Sequence, residues 1–110
     1  MNKDLETEVL QLHAEICAGL ADPKRIMILY QLSNGSCNVT ELVNKLKMQQ
    51  PMVSRHLKVL RERGMVRAER QGAEVIYSVS DERLIQALDM LRSVLRDTLT
   101  KRGELAEAIS

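Results

Sequence analysis

The sequence has no tryptophan and no phenylalanine, and its aromatic residues are Tyr30 and Tyr77. A core without large rings must be filled by Leu, Ile, Val, Ala and Met, a set that suits packed helices. The cysteines number two, Cys17 and Cys37. That is too few for a disulfide scaffold and implies a reducing, cytoplasmic setting. No stretch approaches the roughly 20 apolar residues of a membrane span. The opening Met1-Asn2-Lys3-Asp4-Leu5-Glu6 is polar and acidic, unlike a secretory leader. The net charge is only +1, and such a balance by itself points to no partner.

What the sequence does contain is an uneven distribution of charge. Lys45, Lys47, Arg55, Lys58, Arg61, Arg63, Arg67 and Arg70 fall between positions 45 and 72, opposed only by Glu62 and Glu69. Eight basic and two acidic residues give this window +6, and the rest of the chain carries −5. A basic centre between acidic ends is either a solvated helix face or the footprint of a polyanion.

At 110 residues the chain is expected to form one domain, residues 1–110, with a limited core that a second copy would enlarge. Leu5, Val9, Leu12, Ile16 and Leu20 have helical spacing. Asp22-Pro23 then caps a second helix bearing Ile26, Ile28, Leu29 and Leu32, which Ser33-Asn34-Gly35 ends. Thr40 is expected to cap a short third helix with Leu42, Val43 and Leu46. Gln50-Pro51 opens a fourth, with Val53, Leu57 and Leu60 on one face and Gly64 closing it.

The apolar period then drops to two around Val66-Ala68 and Val75-Tyr77-Val79, which predicts a β-hairpin with Gln71-Gly72-Ala73-Glu74 as its loop. Ser80 or Asp81 caps a last helix whose seam is Leu84, Leu88, Leu91, Leu95 and Leu99, with the tail after Lys101 frayed. The expected fold is mainly α with a small β-hairpin, a winged helix-turn-helix in the order α-α-α-α-β-β-α.

Such a pair of short helices sets its second member into a DNA major groove. With Val53, Leu57 and Leu60 facing inward, the residues left for DNA are Gln49, Gln50, Met52, Ser54, Arg55, His56 and Lys58. Gln pairs with adenine, Arg with guanine, Ser with bases or phosphate, and Met52 offers a contact to a thymine methyl. Free backbone N–H groups at the helix start suit a phosphate. Arg70, Gln71 and Gly72 at the hairpin tip would reach a neighbouring phosphate or the minor groove. There is no Gly-rich phosphate loop, carboxylate pair or nucleophile with its base, so an enzyme is not expected.

Three segments closely resemble the ArsR/SmtB family of small bacterial winged-helix repressors, and the likeness covers nearly the whole chain. They are Leu20-Ala21-Asp22-Pro23-Lys24-Arg25-Ile26-Met27-Ile28-Leu29, then Gln50 through Arg61, and finally Gly64-Met65-Val66 with Arg70-Gln71-Gly72 and Val75 through Val79. The second is the most specific. The resemblance implies a homodimer built from the first and last helices. It also implies repression by binding double-stranded operator DNA, relieved by an effector. The inducer, operator and target genes are not legible. Competing readings are an effector-independent DNA-binding module and a winged-helix protein-interaction module.

Many members of that family sense metals, but the matching positions here lack their ligands. Asn38-Val39-Thr40 stands where the arsenic-sensing type has Cys-Val-Cys. In place of the zinc-sensing Asp and His pair, Asp89 is followed two residues on by Leu91, and no His follows His56. Tyr30 stands where the persulfide-sensing type has its first cysteine, and the last helix has none. One constellation is left. His13 and Cys17 share a helix face, and Cys37 would join them within a chain or across a dimer to bind a metalloid or metal ion. Alternatively Cys17 and Cys37 form a redox pair, or Cys17 is a small buried hydrophobe and Cys37 an ordinary loop residue.

Overall fold

The computed structural model describes the backbone of residues 1–109 and the side chains through Glu104. The first helix, α1, runs from Lys3 to Leu12, continues unbroken through a π-helical turn at His13–Cys17, and ends with Ala18–Leu20. Then follow α2 (Pro23–Ser33), α3 (Val39–Leu46), α4 (Gln50–Glu62), β1 (Val66–Gln71), β2 (Glu74–Val79) and α5 (Arg83–Ile109). This is the expected order, and the fold is a winged helix-turn-helix. No helix among the described residues is long and apolar enough to cross a membrane.

Local chemistry sets the boundaries. Asp22 caps α2, accepting from the Lys24 amide at 2.8 Å, with Pro23 in the first turn where its missing N–H costs nothing. The cap of α3 is Asn38 rather than Thr40. Its side chain accepts from Glu41 N at 2.8 Å, and Glu41 accepts in return from Asn38 N at 3.2 Å. This reciprocal capping box satisfies two orphan donors where a lone Thr40 would satisfy one. Lys47 ends α3 in the left-handed region (φ 54), which turns the chain sharply toward α4. The helix α5 extends beyond Lys101 to Ile109 instead of fraying there.

The hairpin is tighter than expected. Gln71 and Glu74 pair with each other, leaving a two-residue loop in which Gly72 takes φ 65 without a side-chain clash. The hairpin is moored at its base by Ser80, whose Oγ donates to Gly64 O at 2.5 Å. A second mooring joins Cys37 and Tyr77, which exchange backbone hydrogen bonds at 2.8 and 3.1 Å.

The core lies between the helix pair and the base of the hairpin. Ile28 and Leu29 of α2, Leu42 of α3, Val53 and Leu60 of α4, Cys37 and Met65 are all fully enclosed. The apolar seams of the outer helices differ. Leu88 is buried and Leu84 half-buried, but Leu5, Val9 and Leu12 of α1 and Leu91, Leu95 and Leu99 of α5 are exposed in the single chain.

Gly19 lies where α1 passes over the turn after α4. A Cβ there would stand 2.6 Å from Met65 Sδ and 3.1 Å from Arg63 Cδ. Gly19→Ala is therefore expected to lower stability by about 1–3 kcal/mol through overpacking. Gly103→Ala, in open space on α5, should be neutral or raise it by up to about 1 kcal/mol. Urea unfolding of the two variants measures both, and a Gly19→Ala midpoint equal to wild type would contradict the close approach.

Candidate nucleic-acid interface

The apolar stripe of α4 decides what the helix presents outward. Val53, Leu57 and Leu60 recur at helical spacing and are buried, so the opposite side must face solvent. On it lie Ser54, Arg55 and Lys58, with Gln49 and Gln50 at the helix start, all exposed. Gln49 occupies the cap position in an extended conformation, with no side chain capping the first turn. The early N–H groups therefore remain available to an outside acceptor.

Met52 and His56 are placed differently from the other predicted residues. Both are half-buried against the start of α2. Lys24 Nζ lies 3.1 Å from Met52 Sδ, and a guanidinium nitrogen of Arg25 lies 3.4 Å from His56 Nδ1. Because a guanidinium only donates, Nδ1 is the acceptor and the ring proton belongs on Nε2. Burial is the main cause that lowers the His56 pKa. The charges of Arg25, Arg55 and Lys24 add to this, and Asp22 opposes it.

Arg70, Gln71 and Gly72 are exposed at the hairpin tip, as expected. Asn38 Nδ2 donates to Glu74 Oε1 at 3.1 Å, so the tip is also tied to the start of α3. Several cations outside the predicted set border the same side. Lys24, Lys47 and Gln49 line a cleft at the turn between α3 and α4. Ser54, Lys58, Arg61 and Tyr77 line a groove between α4 and the hairpin, and Arg61 with Arg67 lines the next. The readable signal for Lys47 was its place in the turn itself; Lys24 lay outside the basic window and had none. Arg63, though inside that window, points the other way. Its guanidinium donates to the carbonyls of Ala14 and Glu15 on α1, at 2.5 and 3.2 Å.

The proposed sensor constellation does not assemble within one chain. His13 and Cys17 are exposed on α1, whereas Cys37 is fully enclosed in the core, its thiol 3.4 Å from Gly35 O. Cys37 is neither an ordinary loop residue nor an accessible ligand: its exchange of backbone hydrogen bonds with Tyr77 accompanies its enclosure in the core. Among the described residues, no three His, Cys, Asp or Glu side chains gather closely enough to hold a metal ion.

A stripe-seated recognition helix, a tight preceding turn and a moored hairpin define the winged helix-turn-helix class of DNA-binding domains. Residues 22–68 match the model of the bacterial regulatory proteins of the arsR family. The chain is 44% identical over 77 residues to the HTH-type transcriptional repressor SmtB of Mycobacterium tuberculosis, a match covering 70% of this chain and 57% of that one. Thus it spans little more than half of that relative's length. It is 40% identical to the HTH-type transcriptional regulator NmtR of the same organism, covering 77% and 71%. The solution structure of a homodimeric winged helix-turn-helix DNA-binding domain from Mycobacterium bovis, a possible ArsR-family transcriptional regulator, superposes with a TM-score of 0.75. It is 25% identical, and the match covers 87% of this chain and 89% of that one. The chain belongs to the arsR family.

The lowered His56 pKa has a signed consequence. The folded protein binds this proton less readily than the unfolded chain. The stability due to neutral His56 is complete above the ordinary value of 6.5 and is lost as pH falls through the lowered folded value. An NMR titration should place the His56 midpoint below 6.5. A midpoint at or above that value would contradict the packed, neutral imidazole.

Proposed function

We propose that the protein is a cytoplasmic transcriptional repressor, not an enzyme, that binds operator DNA as a homodimer and is released by an effector. The observation that carries this reading is the arrangement of α4. Its stripe is locked in the core while Gln49, Gln50, Ser54, Arg55 and Lys58 stand exposed beside an uncapped helix start. In this reading Arg55 and the two glutamines read base edges in the major groove. Lys58, Arg70 and the start of the helix hold phosphates, and Gln71 and Gly72 let the hairpin tip approach the backbone. Met52 and His56 support the helix start from behind and meet DNA only at their outer edges.

The homodimer reading rests on the outer helices. Leu5, Val9 and Leu12 of α1 and Leu91, Leu95 and Leu99 of α5 are exposed in the single chain, and large apolar side chains repeated along a helix face favour a partner surface. Pairing through α1 and α5 would bury them and place two α4 helices to read two half-sites. A thiol-reactive or metal effector would meet Cys17 and His13 first, since they are exposed on α1; Cys37 is reached only by local opening.

DNA from upstream of the protein's own coding region, followed by fluorescence anisotropy, tests the reading. Arg55→Ala should cost about 1–3 kcal/mol on the preferred sequence and narrow the gap to other sequences. Undiminished preference would remove Arg55 from base reading. Arg70→Ala should weaken binding to all sequences and reduce the salt slope by about 1; an unchanged slope would show that Arg70 touches no phosphate.

A further inference from the structure

The second half of α1 is gripped by two arginines that belong to the DNA-reading unit. Arg25, at the start of α2, sends Nε to Gly19 O at 2.7 Å and a terminal nitrogen to Ala18 O at 3.1 Å. These carbonyls lie in the last turn of α1, where the following turn of helical amides is missing; Ala18 O also accepts from the Ala21 amide at 3.3 Å. The other terminal nitrogen faces His56 in the middle of α4. Arg63, which follows the last residue of α4, donates to Ala14 O and Glu15 O. Those two carbonyls belong to the π-helical turn, where the Ala18 N–H is shared between Glu15 O and, five residues back, His13 O. A carbonyl oxygen has two lone pairs, so it can take a side-chain donor beside a backbone one. Both cations also sit toward the negative end of the helix dipole.

The contact has been built closely on the α1 side as well. Gly19 is buried, and any side chain there would strike Met65 and Arg63. A helix made only to present an apolar face to a partner has no need of this approach. The recognition helix is thus held to α1 at two places, its middle through Arg25 and His56 and its end through Arg63.

We propose that Arg25 and Arg63 are positioning residues for DNA reading, fastening α4 to the π turn and last turn of α1 so that α1 sets the tilt of the recognition helix. This inference rests on the DNA-binding reading above and adds a route into it. A change at the outer face of α1 thus has a polar route to α4, through four carbonyls and two guanidinium groups, beside the apolar packing of Ile16 and Leu20 on the core. Neither arginine touches DNA in this scheme. Arg63 therefore differs from the other cations of the basic window, and its loss should alter base reading without altering phosphate contacts.

The test uses the full chain and a duplex recovered from a random-sequence pool by repeated selection on the wild-type protein. Arg25→Met and Arg63→Met keep the apolar stem and remove the guanidinium. Both are expected to bind the selected duplex at least about fivefold more weakly, the low end of what one base contact is worth. Their affinity for an unrelated duplex, their salt slope and their dimer mass should stay at wild-type values. Arg63→Lys should recover part of the loss, because one Arg63 nitrogen makes both contacts and an ammonium keeps that charge and donor on a shorter, non-planar end. Unchanged affinity for the selected duplex would overturn the proposal. So would an equal loss on both duplexes with a slope lower by about 1, the signature of a phosphate contact.

Where a variant fails to fold, hydrogen exchange on the wild-type protein decides. Amides of residues 13–20 should slow on adding the selected duplex, and unchanged exchange there would contradict the coupling. Failure of the wild type to enrich any duplex is a separate result, which would remove the DNA-binding reading itself.

Discussion

The seating of Val53, Leu57 and Leu60 against Ile28, Leu29 and Leu42 is the constraint on which the rest of the molecule depends. Three apolar side chains on one face fix the rotation of α4 about its axis. Burying them turns Ser54, Arg55 and Lys58 outward with no further instruction. A rotation of one residue, about 100° on a helix, would put Ser54 into the core and Val53 into water. Loss of a single member, as in Leu57→Ala, would cost about 2–5 kcal/mol in a core of this kind. The chemistry of the exposed face is thus specified by the hydrophobicity of the hidden one.

Smaller polar contacts then place the surrounding parts. The hairpin is held to the core by Ser80 on Gly64 and by the exchange between Cys37 and Tyr77, so its tip stands at a fixed distance from α4. Tyr30 Oη donates to Asp89 at 2.6 Å, and the Arg92 guanidinium lies 5.2 Å from the Tyr30 ring centre, joining α2 to α5. Arg25 and Arg63 do the same for α1. Exposed ion pairs such as Lys58 with Glu62 contribute little by comparison. The tethers matter through geometry, since they hold an apolar frame and a basic surface in one register.

The features written in side-chain period and turn chemistry were legible in the sequence. The apolar spacing of α2 and α4, the Asp22-Pro23 start and the change of period at Val66 all locate elements that the structure contains. Signals with two readings were less decisive. Thr40 and Asn38 both suit a helix cap, and only Asn38 has Glu41 three residues on to complete the box. The π turn at His13–Cys17 has no period of its own, because the apolar positions on either side still fit an ordinary helix. Cys37 looked like a loop residue and is a core residue, a consequence of its backbone pairing with a strand forty positions away. At the interface, exposure of Gln49, Gln50, Ser54, Arg55, Lys58, Arg70, Gln71 and Gly72 followed from the period, whereas the retreat of Met52 and His56 depends on Lys24 and Arg25, which the period of α4 does not reveal.

The central claim is that two copies of α4 enter successive major grooves on one face of a duplex. Methylation interference tests this directly, because a methyl group on guanine N7 blocks the major groove and leaves the phosphates unchanged. The selected duplex should show two patches of interference, centred about 10–10.5 base pairs or a multiple of that apart. A single patch, or binding that tolerates methylation throughout, would contradict the account.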